Sequence, residues 1–106
     1  MRPFMLLLAL AAGESRAEPD SLESMRRAQE LGTILGSETL CDLAIDTTAV
    51  QAWISDKVSP DDMTFAGNLQ MMIAGAQLRQ QEMSEAARVA YCTAITQSAR
   101  TAGLIR

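Results

Sequence analysis

The chain has 106 residues, 48% of them hydrophobic and 4% aromatic, and its 9 Lys and Arg against 13 Asp and Glu give a formal net charge of −4. This acidic balance argues against nucleic acid and anionic lipid as partners, because both are bound by clustered Lys and Arg. The sequence contains no histidine. It therefore lacks the usual base or metal ligand of serine, cysteine and metal-dependent hydrolases.

The N-terminus has the three-part layout of a secretory signal. Arg2 precedes an apolar block at residues 4–12 (FMLLLALAA), which is shorter than the roughly 20 residues that span a bilayer. The tripeptide SRA ending at Ala17 fits the small-x-small cleavage rule, as does ALA inside the block, which would cut the block short. We expect residues 1–17 to be a cleaved signal peptide, rather than an apolar helix of a cytosolic protein. Residues 18–106 then form a single periplasmic helical domain without a membrane anchor.

Two cysteines, Cys41 and Cys92, are present. In an exported protein they most simply form a disulfide, which would stabilise the fold by roughly 4 kcal/mol in the chain-entropy model. A redox-active pair is the alternative. Such pairs usually have Cys-x-x-Cys spacing and a neighbour that stabilises the thiolate, whereas Asp42 disfavours one. We therefore predict a structural disulfide.

Helix start and stop patterns dominate the chain, and no stretch alternates apolar and polar residues long enough for a strand. Asp20 or Ser21 can cap a first helix, with Glu23 placed as in a capping box. Gly36 is expected to end this helix. Its apolar stripe consists of Leu22, Met25, Leu31, Ile34 and Leu35.

The next two elements are shorter. A segment at residues 37–45, with apolar positions at helical spacing, is expected to present Cys41. A cap among residues 46–48 (DTT) then begins a helix in which Trp53 faces inward. The apolar positions of this helix are Val50, Trp53, Ile54 and Val58.

The stretch at residues 59–79 (SPDDMTFAGNLQMMIAGAQLR) combines a helix start with an apolar stripe. Ser59 is placed as the N-cap and Pro60 as the first helical residue. Asp61 and Asp62 follow in the first turn, where carboxylates meet the positive end of the helix dipole. The stripe after them consists of Phe65, Ala66, Leu69, Met72, Ile73 and Ala76. Met71 is set about 100° round the helix from Met72, so it is expected at the edge of the stripe or exposed.

A last helix is expected to begin at the cap Ser84 and to end at Gly103, after which Leu104 and Ile105 fold back onto the core. The fold class is therefore all-α. We predict a small compact bundle of four principal helices and a short one, closed by the disulfide. The inner face of the last helix consists of Ala87, Tyr91, Cys92, Ile95 and Ala99.

The methionines are one candidate for chemistry, since thioethers suit copper(I). Without histidine to assist them, we expect them instead to fill the core or to line a groove for a partner or an apolar ligand. The residues concerned are Met63, Met71, Met72 and Met83.

Paired carboxylates are a second candidate. Asp61 and Asp62 point about 100° apart on a helix, and the helix start already explains them. Asp42 and Asp46 are four apart, yet Asp46 is expected at a helix boundary. Residues 56–67 do not fit a calcium loop, because Gly and Glu are missing where an EF-hand requires them. We therefore expect no enzyme, no bound metal and no cofactor.

From Leu31 onward, the chain resembles small exported alphaproteobacterial proteins with no assigned activity. The resemblance lies in the order of the segments LG, LC, AVQAWI, DDMTFAGNLQMM, MSEAARVAYC and GLI. This resemblance implies a periplasmic helical domain and supplies no catalytic residues. A looser likeness of architecture links the chain to the HdeA-type periplasmic acid-stress chaperone, also small, exported and helical with one disulfide. That family's tryptophan before the first cysteine is absent, since Thr39 and Leu40 precede Cys41.

These patterns favour a non-catalytic protein that binds a periplasmic protein or an apolar small ligand in the groove between the two C-terminal helices. The alternative is an acid-stress chaperone whose carboxylates titrate between roughly pH 3 and 5 and open apolar helix faces. Gly67 and Gly75 either let another helix approach closely or weaken their own helix by roughly 1 kcal/mol each. The candidate apolar binding face consists of Phe65, Leu69, Met71, Met72 and Ile73. The sequence sets no oligomeric state.

Overall fold

The computed structural model describes residues 19–106, and the predicted signal peptide lies outside these described residues. Within that range four long helices and one short helix follow one another, and none of them is long and apolar enough to cross a membrane. This confirms the all-α prediction. The helices are α1 (Pro19–Leu35), α2 (Glu38–Cys41), α3 (Thr47–Lys57), α4 (Phe65–Gln80) and α5 (Glu85–Thr101).

The most extensive helix contact in residues 19–106 joins α1 to α4. Gly32 lies against Met72 and Gly36 against Ala76, so the two helices run parallel. A Cβ atom added at Gly32 would fall 2.5 Å from the Met72 Cβ atom. One added at Gly36 would fall 2.9 Å from both the Ala76 Cβ atom and the Ile73 carbonyl oxygen. Two glycines one helical turn apart thus let the two backbones approach closely.

Gly67 and Gly75 of α4 have a different environment from that of Gly32 and Gly36. No described atom lies within 4 Å of a Cβ atom added at Gly67, and one added at Gly75 would meet only an Arg79 guanidinium nitrogen, at 3.3 Å. Neither glycine therefore admits another helix of the described chain. Of the two effects expected for them, close approach of another helix or weakening of their own helix, only the second applies within the described chain.

One cluster of buried apolar side chains forms the core and receives residues from all four long helices. Trp53 is buried in it, which confirms that Trp53 faces inward. Leu22 and Met25 are exposed, at 61% and 40%, because Ala28 takes the inner side of this part of α1. Their predicted burial is wrong, and Ala87 of α5 is exposed as well. The cluster consists of Ala28, Leu31, Ile34, Leu43, Trp53, Phe65, Ile95, Ala99 and Leu104.

Two helices begin at residues different from those predicted. Helix α1 begins at Pro19, ahead of both predicted caps, and proline suits a first helical position because it needs no hydrogen-bond acceptor there. Helix α4 begins at Phe65 rather than at Pro60. The Asp62 N–H donates to the Ser59 carbonyl at 3.0 Å, which closes a separate turn over the residues predicted as the first helical turn.

Asp62 still serves the start of α4, although it lies outside the helix. Its carboxylate accepts hydrogen bonds from the backbone amides of Thr64 and Phe65, at 3.0 and 3.1 Å. Phe65 itself is buried in the core. The acid was thus predicted in the right role but in the wrong position, because burial of Phe65 fixes where the helix begins.

Two other predicted caps are confirmed. The Asp46 carboxylate accepts from the amides of Thr48 and Ala49, at 3.0 and 3.3 Å. The Ser84 hydroxyl oxygen accepts from the Ala87 amide at 3.1 Å. Each bond satisfies an N–H group that has no partner within the first turn of its helix.

The C-terminal residues fold back as predicted. Gly103 follows α5 in the left-handed region, with φ of 76°, and the Leu104 N–H donates to the Ala99 carbonyl at 2.9 Å. Leu104 is fully buried. Its carbonyl accepts from the Asp46 N–H at 2.9 Å, so the C-terminus is held against the start of α3.

The substitution Gly32→Ala is expected to lower the free energy of unfolding by about 1–3 kcal/mol, because the added methyl would overlap Met72 and push α1 away from α4. Gly67→Ala is the matched control, since it adds the same methyl in open space and is expected to stabilise by up to about 1 kcal/mol. Urea unfolding of the oxidised protein measures both. An unchanged midpoint for Gly32→Ala would contradict the close packing.

Candidate functional site

The five residues of the predicted apolar binding face do not share one open surface. Phe65 lies in the core, and Leu69 and Met72 pack against it. Ile73 is half-buried. Met71 is exposed at 66%, unlike the other four. Since α1 covers this side of α4, most of the predicted face already has a partner within the chain, and a binding role for it stays a prediction.

The opposite side of α4 is exposed, and the charged residue of this helix, Arg79, lies beside it with a guanidinium nitrogen against Gly75. Met71 and Leu78 project from this side with 66% and 67% of their surfaces accessible. They are seven residues apart, about two helical turns, and so point in nearly the same direction. We call this strip the outer face of α4. It consists of Gly67, Gln70, Met71, Ala74, Gln77 and Leu78.

The methionines occupy two kinds of environment. Met72 packs against the core and Met83 is half-buried, as core filling predicts. Met63 and Met71 are exposed, Met63 at 89%. Core filling is therefore wrong for Met63, whereas exposure was one of the two positions predicted for Met71.

A buried polar junction joins the C-terminal ends of α1 and α4 to α5. Ser37 is fully buried, and its Oγ lies 2.6 Å from the Thr33 carbonyl oxygen and 2.7 Å from the Tyr91 hydroxyl. Because a carbonyl only accepts, Ser37 donates to Thr33 and accepts from Tyr91. The Gln80 amide donates to Ser37 Oγ at 3.0 Å and to the Gly36 carbonyl at 3.3 Å. This satisfied network fixes the end of α4.

Neither Ser37 nor Gln80 stood out in the sequence. A single serine after a helix is ordinarily a surface residue, and no periodic pattern marks it as buried. The adjacent Gly36 was the available indication, since close approach of α4 at this point also encloses the next residue.

The predicted disulfide is confirmed. Cys41 and Cys92 are bonded, with 5.2 Å between their Cα atoms and a sequence separation of 51. Cys41 ends α2, and Asp42 follows it in the left-handed region with φ of 53°. The predicted segment at residues 37–45 is therefore helical only over α2. The bond joins α2 to α5 and indicates an oxidising, extracytoplasmic environment.

Two of the carboxylates named in the sequence, Asp46 and Asp62, accept backbone hydrogen bonds at helix starts. Within residues 19–106, no group of three or more His, Cys, Asp or Glu side chains is placed to hold a metal ion. Asp46 caps α3, and its pKa is below the usual value mainly because the Ala49 amide donates to it. The Thr48 amide and the Arg106 guanidinium, at 3.4 Å, add to this effect.

Asp62 has a lowered pKa for a similar reason. The largest cause is the Ser24 hydroxyl of α1, followed by the Thr64 amide and hydroxyl and the Phe65 amide. Ser24 Oγ is buried and forms no hydrogen bond with any described atom. The hydrogen bonds from Thr64 and Phe65 therefore account better for the lowered pKa of Asp62. Both Asp46 and Asp62 stabilise helix starts as anions.

No protein-family model, curated protein or solved structure significantly matches this chain. The resemblances to exported alphaproteobacterial proteins and to the HdeA-type chaperone therefore stay predictions. What the outer face of α4 can do follows from its own residues.

Removal of the disulfide, by reduction or by Cys41→Ser with Cys92→Ser, is expected to destabilise the protein by several kcal/mol, with roughly 4 kcal/mol as the upper estimate. The bond closes a long loop in the unfolded chain and so lowers the entropy of that state. Thermal unfolding of the oxidised, reduced and doubly substituted proteins measures the effect. Equal midpoints for all three would contradict a stabilising role.

Acid is expected to destabilise the fold partly through Asp46 and Asp62. The pKa values of both carboxyl groups are lower in the folded protein than in the unfolded chain. Their anions therefore stabilise the fold fully above the unfolded pKa of roughly 4. This stabilisation is lost as the pH falls through the folded pKa. Substitution of both by Asn keeps an oxygen acceptor for the amides and removes the titration.

The double variant should therefore lose less free energy of unfolding than the wild type between about pH 5 and pH 3. Asp56→Asn is the control, because Asp56 is exposed and contacts only Lys57 among the described charges. Denaturant unfolding across this range measures all three proteins. Parallel pH profiles for the wild type and the double variant would exclude the two caps as acid-sensitive groups.

Proposed function

We propose that this chain is a non-catalytic periplasmic protein that binds a partner protein through the outer face of α4. The observation that carries the proposal is the pair Met71 and Leu78, two large apolar side chains exposed on one uncharged strip. Packing against α1 uses the other side of the helix. Apolar side chains that are exposed together on one helix face are typical of interaction sites, whereas scattered ones are ordinary.

The composition of the strip specifies the chemistry of the partner. Residues 65–78 contain no charged side chain, so an ion pair cannot form the centre of the interface. Gln70 and Gln77 supply amide groups for hydrogen bonds, and methionine adapts its shape to a partner. The partner surface is therefore apolar at its centre, with neutral hydrogen-bonding groups at its edge.

An exported location supports this proposal and is part of it. The Cys41–Cys92 bond fits an oxidising compartment. The predicted signal peptide at residues 1–17 and the resemblance to small exported alphaproteobacterial proteins point to the same place.

An acid-stress chaperone is the second candidate, and the two carboxylate caps favour it. Asp62 serves the start of α4 and Asp46 the start of α3, so acid weakens both helix starts. The disulfide would keep α2 and α5 joined while α4, whose contacts with α1 are noncovalent, moves away. The side of α4 that carries Met72 and Ile73 would then become accessible to unfolding clients.

The double substitution Met71→Gln with Leu78→Gln is expected to weaken partner binding at pH 7 by about ten-fold or more, since both apolar contacts are lost. Met63→Gln is the control, because Met63 is even more exposed than Met71 and Leu78 but lies before α4. Each variant would be used to capture partners from periplasmic extract, and the protein captured by the wild type would then be titrated in purified form. Circular dichroism verifies the fold.

Loss with the double variant and retention with Met63→Gln supports the outer face as the binding site. Equal binding by all three proteins would exclude it. If no protein binds at neutral pH and the protein instead suppresses client aggregation near pH 3, the chaperone becomes the function.

A further inference from the structure

A cleft with a volume of about 1040 Å³ lies between α1, α3 and α5, on elements other than the outer face of α4. Its size matches the upper range of small-molecule sites, roughly 300–1,000 Å³. Ile34, Trp53 and Ile95 line it from the three helices. All three are buried core residues, so the base of the cleft is apolar and well packed. It includes the only tryptophan of the chain.

The edge of the cleft is cationic. Arg26 and Arg27 line it from α1 and Lys57 from the end of α3, and Glu30 is the single carboxylate among the lining residues. The whole protein carries a net charge of −4 and only 9 basic residues. A third of these basic residues line this cleft against one lining carboxylate, so the lining residues carry a net positive charge. Glu23, outside the lining, also pairs with Arg26 at 3.6 Å.

Part of this charge is available for a ligand. Arg27 pairs with Glu23 at 3.0 Å and with Glu30 at 3.6 Å, but its Nε atom is buried without a hydrogen-bond partner among the described residues. Lys57 pairs, in the described chain, only with its exposed neighbour Asp56, at 3.8 Å. Buried polar atoms normally have partners, so Arg27 keeps one N–H donor that its two carboxylate partners do not satisfy.

We propose that this cleft binds a small organic monoanion with a flat apolar end, such as an aryl-alkyl carboxylate. The carboxylate would meet Arg27 and Lys57, and the apolar end would lie over Trp53. Ser98 and Gln97 of α5 also line the cleft. Because Glu23 and Glu30 neutralise part of the positive charge, the site suits a single negative charge better than a phosphate dianion. The ligand leaves the outer face of α4 free for a protein.

Phenylpropionate, phenylpropanol and phenylpropylamine test the proposal directly, because they share one skeleton and differ in charge. Titration of the mature oxidised protein at pH 7 is followed by calorimetry and by the fluorescence of Trp53. Phenylpropionate is expected to bind with one-to-one stoichiometry, about ten-fold more tightly than the alcohol, and the amine most weakly. Its affinity should fall as salt is added.

Lys57→Gln and Arg27→Gln are each expected to weaken phenylpropionate binding by about five-fold. Arg79→Gln is the matched control, since it removes the same charge from α4 outside the cleft. Because Arg27→Gln also breaks two ion pairs, Lys57→Gln is the deciding variant. Absence of saturable binding, equal affinity for the three probes, or equal losses with Lys57→Gln and Arg79→Gln would each overturn the proposal.

Discussion

The contact of Gly32 with Met72 determines which side of α4 faces inward. A helix has a fixed geometry of 3.6 residues per turn, so one fixed contact determines the direction of every side chain along it. Ala76 then lies against Gly36, which directly follows α1, and Gln80 reaches the buried hydroxyl of Ser37. The same orientation turns Met71 outward. The candidate binding surface is thus a direct consequence of how closely α1 and α4 approach each other.

The three kinds of attachment in this small protein hold different helices. The Cys41–Cys92 bond joins α2 to α5 covalently. The C-terminus is held by Leu104, through its burial and its bond to the start of α3. Helix α4 depends on close packing against α1, on the polar junction at its end and on Asp62 at its start. Helix α4 thus has no covalent link to another described helix, whereas α5 is joined to α2.

Sequence reasoning succeeded where the determinants are local. Caps such as Asp46 and the stop at Gly103 depend on a few neighbouring residues and were predicted correctly. The start of α4 was misplaced because burial of Phe65, a tertiary effect, outweighs a good local start at Pro60. An exposed Met71 was one of the two positions predicted for it, and the structure selects that one because α1 packs on the other apolar strip of α4. That choice follows from glycines on another helix.

The most direct test of this account is an NMR measurement on the mature oxidised protein with labelled methionines. Nuclear Overhauser contacts are expected between the α-protons of Gly32 and the β-protons of Met72. A soluble paramagnetic agent should broaden the Met71 methyl signal and spare that of Met72. Contacts from Gly32 to Met71 instead, with Met72 broadened, would show that α4 presents its other side to α1 and would contradict the proposed binding surface.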